Sequence, residues 1–133
     1  MFSMDKRRKD LSEYRLQESR DSLKAAGFCL EAGLYKDSIN RSYYAAFYAI
    51  KAVLALGNID FKRHKDVIAH FNQFYVATEV FPKEYGRKLG TLKQLREKSD
   101  YDDFYIASRE MAVQQLETVT LFVDCIKEYL KTK

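Results

Sequence analysis

The sequence has one proline, five glycines and no tryptophan in 133 residues. So few turn-formers argue against an all-β sandwich, in which every hairpin needs residues suited to a turn. They also exclude a collagen-like or low-complexity chain. Two cysteines, Cys29 and Cys125, lie far apart with no CxxC. They make neither a zinc site nor a disulfide framework, and both fall in apolar helical stretches as small core residues. Two histidines, His64 and His70, are too few for a histidine-rich metal centre, and HExxH, GxGxxG and P-loop patterns are missing. The longest apolar run, 45–56, is interrupted by Lys51. It falls short of the roughly 20 residues that cross a bilayer. The start, MFSMDKRRKD, is charged and no apolar segment follows it, so no signal peptide is expected and a reduced cytoplasmic setting is the default.

What is present favours long helices. The chain is 47% hydrophobic and 32% charged, of a length suited to one domain spanning 1–133. Ten Tyr and nine Phe supply the aromatics. The net charge of +4 is a mild basic excess, compatible with a nucleic-acid partner without demanding one.

Periodicity and breakers predict five helices. The first covers 9–31, with Leu16, Leu23, Ala26 and Leu30 on one face and Gly33 as its stop. The second covers 37–56, with Asp37 as N-cap and Gly57-Asn58 as its end. It is apolar nearly all round and belongs at the centre, its alanines letting neighbours approach closely. The third covers 65–78 and buries Val67, Ile68, Phe71, Phe74 and Tyr75. The fourth runs from Pro82 to about Ser99, with 100–104 as a connecting loop. The fifth begins at an N-cap, Ser108, and runs almost to the end of the chain. The fold expected is an all-α, antiparallel up-and-down bundle of about five helices.

Three constellations could carry chemistry. On the second helix, Arg41, Tyr44 and Tyr48 fall within about 60° of one another, while Tyr43 and Phe47 lie on a different side. An arginine inside a buried helix must find an acceptor. It either makes a structural ion pair or clamps a phosphate while tyrosine rings stack on bases. On the fourth helix, Arg96 and Asp100 stand one turn apart, and Tyr101 follows. Before the third helix, Lys62-Arg63-His64-Lys65 forms either a solvated basic face or a phosphate-attracting one. Within it, His64 has the pKa range of a general acid or base.

The stretch Asn40-Arg41-Ser42-Tyr43-Tyr44-Ala45-Ala46-Phe47-Tyr48 resembles the second-helix signature of HEPN domains. The likeness is greatest to a small stand-alone prokaryotic branch known as an uncharacterised protein family. Lys62-Arg63-His64 and Arg96-Glu97-Lys98-Ser99-Asp100-Tyr101 follow in the order and spacing of that branch, from about Arg15 to Leu130. The resemblance implies a helical bundle that often forms homodimers and is often encoded beside a minimal nucleotidyltransferase, in toxin–antitoxin or defence pairs. Catalytic members are metal-independent ribonucleases. Their motif is an Arg, four to six residues, then a His near the start of a late helix; the Arg holds the scissile phosphate.

This sequence departs from that motif. Arg96 corresponds to the arginine, but no histidine follows it, and Asp100-Tyr101 occupies the interval. Arg63 and His70 satisfy the spacing formally, in the wrong place. The favoured expectation is an RNA- or nucleotide-binding module. Asn40, Arg41, Tyr44, Tyr48, Lys62, Arg63 and Arg96 would contact the ligand, with Asp100 shaping the site. A nucleotidyltransferase partner would act with it, and Tyr101 would be the acceptor if the protein is modified by an adenylyl group. A second expectation is a ribonuclease in which Arg96 holds phosphate and His64 reaches over from another helix. A third is a structural dimerisation module. No cofactor or metal is called for in any of them.

Overall fold

The computed structural model describes residues 2–133, with side chains from Asp5 onward. Among these residues there are five α-helices and no strand: α1 (Phe2–Glu31), α2 (Tyr35–Leu56), α3 (His64–Phe71), α4 (Glu84–Tyr101) and α5 (Arg109–Lys131). A π-helical turn, Asn72–Val76, extends α3. The fold is the expected all-α bundle.

α2 is its centre and packs against all four other helices. Ile39, Ala45, Ala49 and Ala52 are fully buried, and Tyr43, Ile50, Val53 and Leu54 nearly so. The closest pairing is with α1, through a seam of small residues. Ser12, Ser19 and Ala26 stand at heptad spacing on α1, opposite Ala52, Ala45 and Ser38 on α2. Three hydrogen bonds lock this antiparallel register. Ser12 Oγ donates to the Ala52 carbonyl at 2.8 Å, Ser19 Oγ to Ala45 at 2.6 Å, and Ser38 Oγ to Ala26 at 2.9 Å. Each buried hydroxyl would be costly without such a partner. The alanines of α2 were the visible half of this seam; the serines of α1, polar by type, were the hidden half. On the other side, Phe71, Phe81 and Phe122 form an aromatic core with Tyr85.

The helix ends explain most boundary differences. α1 starts well before residue 9, because the charged opening segment carries good helix formers and a Lys6–Asp10 pair at i,i+4 instead of an apolar stripe. Gly33 ends α1 in the left-handed conformation, φ 77°, with Leu34 N donating back to the Cys29 carbonyl. The same arrangement ends α2, but there Asn58 takes the positive φ, 58°, and Gly57 does not. Asp37 is not the N-cap of α2. Leu34 is, and Asp37 sits in the first turn, where its charge favours the helix dipole. Ser108 caps α5 as expected, accepting from Met111 N at 3.0 Å.

Two differences are larger. α4 begins at Glu84, two residues past Pro82, and continues through Tyr101, so Asp100 and Tyr101 are helical and only the residues after them form the loop. The wide turn after α3 spends an extra residue per turn, shown by Ala77 N donating to Asn72 O. That shifts the buried face: Val76 goes inward and Phe74 is left half exposed. Cys29 and Cys125 are only partly buried.

Candidate functional site

The site is built on the middle of α2. Tyr43 and Phe47 stand one turn apart with rings stacked, centroids 6.2 Å apart, and Tyr44 meets Tyr43 edge-on at 5.3 Å. This aromatic shelf receives one residue each from α3 and α4.

From α3 comes His64, the first residue of the helix. Its ring stacks on Phe47 with centroids 4.0 Å apart, and its Nδ1 shares a hydrogen bond with the Tyr43 hydroxyl at 3.1 Å. From α4 comes Arg96. Its guanidinium carbon lies 5.0 Å from the centre of the Tyr43 ring and 5.5 Å from that of Tyr44. One terminal nitrogen donates to the Tyr44 hydroxyl at 3.2 Å. Arg96 Nε lies 3.0 Å from an Asp100 carboxylate oxygen, an ion pair whose N–H is not aimed for a hydrogen bond. The guanidinium is thus held by ring faces and one hydroxyl, with its charge only partly answered. His64 and Arg96, 32 positions apart, flank the same two tyrosines.

A second cation completes the field. Lys51, one turn beyond Phe47, reaches to 5.7 Å from its ring centre and pairs with exposed Asp60 at 3.2 Å. Burial lowers the pKa of His64 below its ordinary value, and Arg96 and Lys51 push it further in the same direction. The imidazole is therefore neutral at pH 7 and able to accept a proton. Burial pushes the Tyr43 phenol up to about 12 against the pull of Arg96, so its hydroxyl stays protonated. If Tyr43 accepts from Nδ1–H, the other ring nitrogen of His64 carries a free lone pair; if Tyr43 donates, it carries the proton.

The remaining sequence candidates are distributed as follows. Tyr44 is part of the shelf, and Tyr48 packs on Tyr44 and Phe47 at its edge, with Glu18 and Arg15 of α1 close enough to influence its phenol. Asn40 is half-buried one turn before Tyr44. Arg41 is exposed and needs no buried acceptor, because its side of α2 is uncovered at that turn. Lys62 is exposed, and Arg63 is occupied with Asp66 at 2.8 Å. His70 packs between Phe61 and Phe74, while Arg63 is turned to Asp66. Tyr101 projects from the last turn of α4, 78% exposed.

Sequence reasoning missed Tyr43, Phe47 and Lys51. A helical wheel separates Tyr43 from Tyr44, but both rings are long enough to meet the same side chain approaching between them. The available signal was Lys51, the charge that interrupts the apolar run 45–56.

A family model for the HEPN domain matches residues 12–129. The chain belongs to the HEPN family. Its relatives include "Putative toxin MJ0605" of Methanocaldococcus jannaschii, 34% identical over 116 residues, which cover 87% of this chain and 86% of the relative. A "UPF0332 protein" of Thermotoga maritima is 28% identical over 119 residues, 90% of each chain. "Putative toxin MJ0142", also of Methanocaldococcus jannaschii, is 27% identical over 130 residues, covering 98% of this chain and 88% of the relative. The match spans all five helices of this HEPN protein, including Tyr43, His64 and Arg96. Among the described residues no group of metal-ligating side chains gathers, and no helix is long and apolar enough to cross a membrane.

Proposed function

We propose that this HEPN protein is a toxin-type RNA-directed protein whose Tyr43–His64–Arg96 cluster binds an RNA phosphodiester and promotes its cleavage. The observation that carries the reading is the convergence of a neutral histidine and a partly answered arginine on one shelf. The guanidinium matches the phosphate oxygens in charge and geometry. Neutral His64 takes the proton of the ribose 2′-hydroxyl as that oxygen bonds to phosphorus. The bond from phosphorus to the 5′-oxygen breaks, and the leaving oxygen takes a proton from the imidazolium or from water. The products are a 2′,3′-cyclic phosphate and a 5′-hydroxyl, and the scheme assigns no step to a metal. Tyr43 orients the imidazole, and Tyr44 orients the guanidinium.

The test is incubation of single-stranded RNA with the protein in EDTA, followed by end-group analysis. Cyclic phosphate ends that disappear in both His64→Ala and Arg96→Ala support the reading. Intact RNA with folded wild-type protein, or undiminished cleavage by His64→Ala, rejects it.

A second reading is favoured by the exposure of Tyr101, which directly follows Asp100 at the end of α4, in the turn after Arg96. A minimal nucleotidyltransferase partner would transfer an adenylyl group from ATP to the Tyr101 hydroxyl, releasing pyrophosphate and placing negative charge beside Arg96. Intact mass after incubation with a neighbouring nucleotidyltransferase and ATP tests it, with Tyr101→Phe as control. The homodimer is proposed on the exposure of two apolar side chains in the loop after α4, Phe104 at 93% and Ile106 at 86%. Sedimentation of wild type and of Phe104→Ser/Ile106→Ser decides it.

A further inference from the structure

A cleft of about 730 Å³ lies between residues 9–20 of α1 and the end of α5, with Leu16, Leu56 and Leu130 among its lining. Its walls are rich in cations. Lys9 and Arg20 line it from α1, and Lys127 and Lys131 from α5. A second cleft of about 390 Å³ continues past Lys9 and Leu56 and is lined by Arg8, whose Nε is buried without a hydrogen-bond partner among the described residues. The acids are fewer. Asp10 is already paired with Lys6 at 2.9 Å, which leaves Glu13 on the first wall and Asp5 on the second, while Lys131 pairs with Glu128 at 3.2 Å. Lys9, Arg20 and Lys127 take part in none of the ion pairs among the described residues.

We propose that this α1–α5 cleft is a second binding site, for the phosphate backbone of single-stranded RNA. The inference rests on the RNA reading above. Spacing favours a strand over a mononucleotide. Lys9 and Arg20 stand about 16 Å apart along α1 at 1.5 Å per residue, a spread that successive phosphates of one strand can follow. The exposed ring of Tyr14 on the cleft wall offers a base-stacking surface. The cleft shares no lining residue with the Tyr43 cluster, and its Leu56 end lies about 20 Å farther along α2. An RNA several nucleotides long is needed to reach from His64 to that end of the cleft.

The test is fluorescence anisotropy with a labelled single-stranded RNA of about 20 nucleotides, titrated at several KCl concentrations. His64→Ala protein serves as the uncleaving background. Adding Arg20→Glu and Lys127→Glu weakens binding by about tenfold or more. It also reduces the slope of log affinity against log salt by about 1.4, near 0.7 for each lost phosphate contact. Arg20 is exposed and Lys127 half-buried, so a thermal melt checks folding; Arg20→Gln/Lys127→Gln gives a smaller effect of the same sign. In protein that keeps His64, Lys127→Glu alone leaves binding of a 2′-deoxy dinucleotide unchanged, so failure here is separable from failure of the site itself. Unchanged affinity and slope overturn the proposal. So does efficient displacement of the RNA by ATP at equal phosphate concentration, or a background protein that binds no RNA.

Discussion

Tyr43 and His64 are joined by a 3.1 Å hydrogen bond across 21 positions of sequence, between the most buried stretch of α2 and the first residue of α3. The bond ties the proton-carrying candidate of this HEPN protein to its core. His64 is thereby fixed against Phe47 on the same rings that Arg96 covers.

Removing only that bond separates positioning from packing. Tyr43→Phe keeps the ring under Arg96 and costs no more than about 1 kcal/mol of stability, the net worth of one hydrogen bond. RNA cleavage falls by about tenfold in kcat, with KM little changed, because a freely turning imidazole still leaves phosphate binding intact. Single-turnover kinetics alongside a denaturant titration check both halves.

Asp100 competes with any phosphate for Arg96. Asp100→Asn removes the competing charge and keeps the shape. RNA affinity rises, by about three- to tenfold at low salt, and the gain shrinks as salt screens it. Equal affinity in wild type and variant would place the bound phosphate elsewhere.

His64 makes stability depend on pH with a definite sign. Its folded pKa lies below the unfolded reference of about 6.5. The unfolded chain takes up the proton first as the solution is acidified. The contribution is therefore fully present above 6.5, and is lost as pH falls from there through the folded value. Melting temperatures of wild type and His64→Gln between pH 7.5 and pH 5 diverge accordingly, the wild type dropping more steeply.

The serine seam predicts opposite tolerances for small and large replacements. Ser19 is fully buried with its hydroxyl on the Ala45 carbonyl. Ser19→Ala costs about 1 kcal/mol for the lost hydrogen bond. Ser19→Leu forces α1 from α2 and costs about 1–3 kcal/mol or more. Chemical denaturation measures both.

These residues also mark how far the sequence could be read. The helices were legible because Ile39, Ala46 and Ile50, or Val119 and Ile126, recur at helical spacing. The seam was half legible, because Ser12 and Ser19 look like surface residues until a partner carbonyl is placed opposite. Arg96 stood out by its place in a family-like motif, and His64 by its chemistry. Their convergence could not be read from periodicity, since a loop at 57–63 carries α2 into α3, and a π turn and a second loop carry α3 into α4, and only packing decides their directions. For the same reason Arg41 looked buried: a helix apolar on average can still leave one turn open.

The most direct measurement uses the chain's two histidines, whose imidazole signals NMR can follow separately once His70→Gln assigns them. In the free protein, His64 titrates below its ordinary value. Arg96→Ala raises that value by removing a nearby cation. Binding of a non-cleavable 2′-deoxy dinucleotide raises it in the wild type, because a phosphate beside the imidazole stabilises its charged form. The same ligand has much less effect in Arg96→Ala, where the phosphate is no longer held. A His64 titration that the dinucleotide leaves unmoved, at concentrations where RNA binds, would contradict the assignment of Arg96 and His64 to one phosphate site.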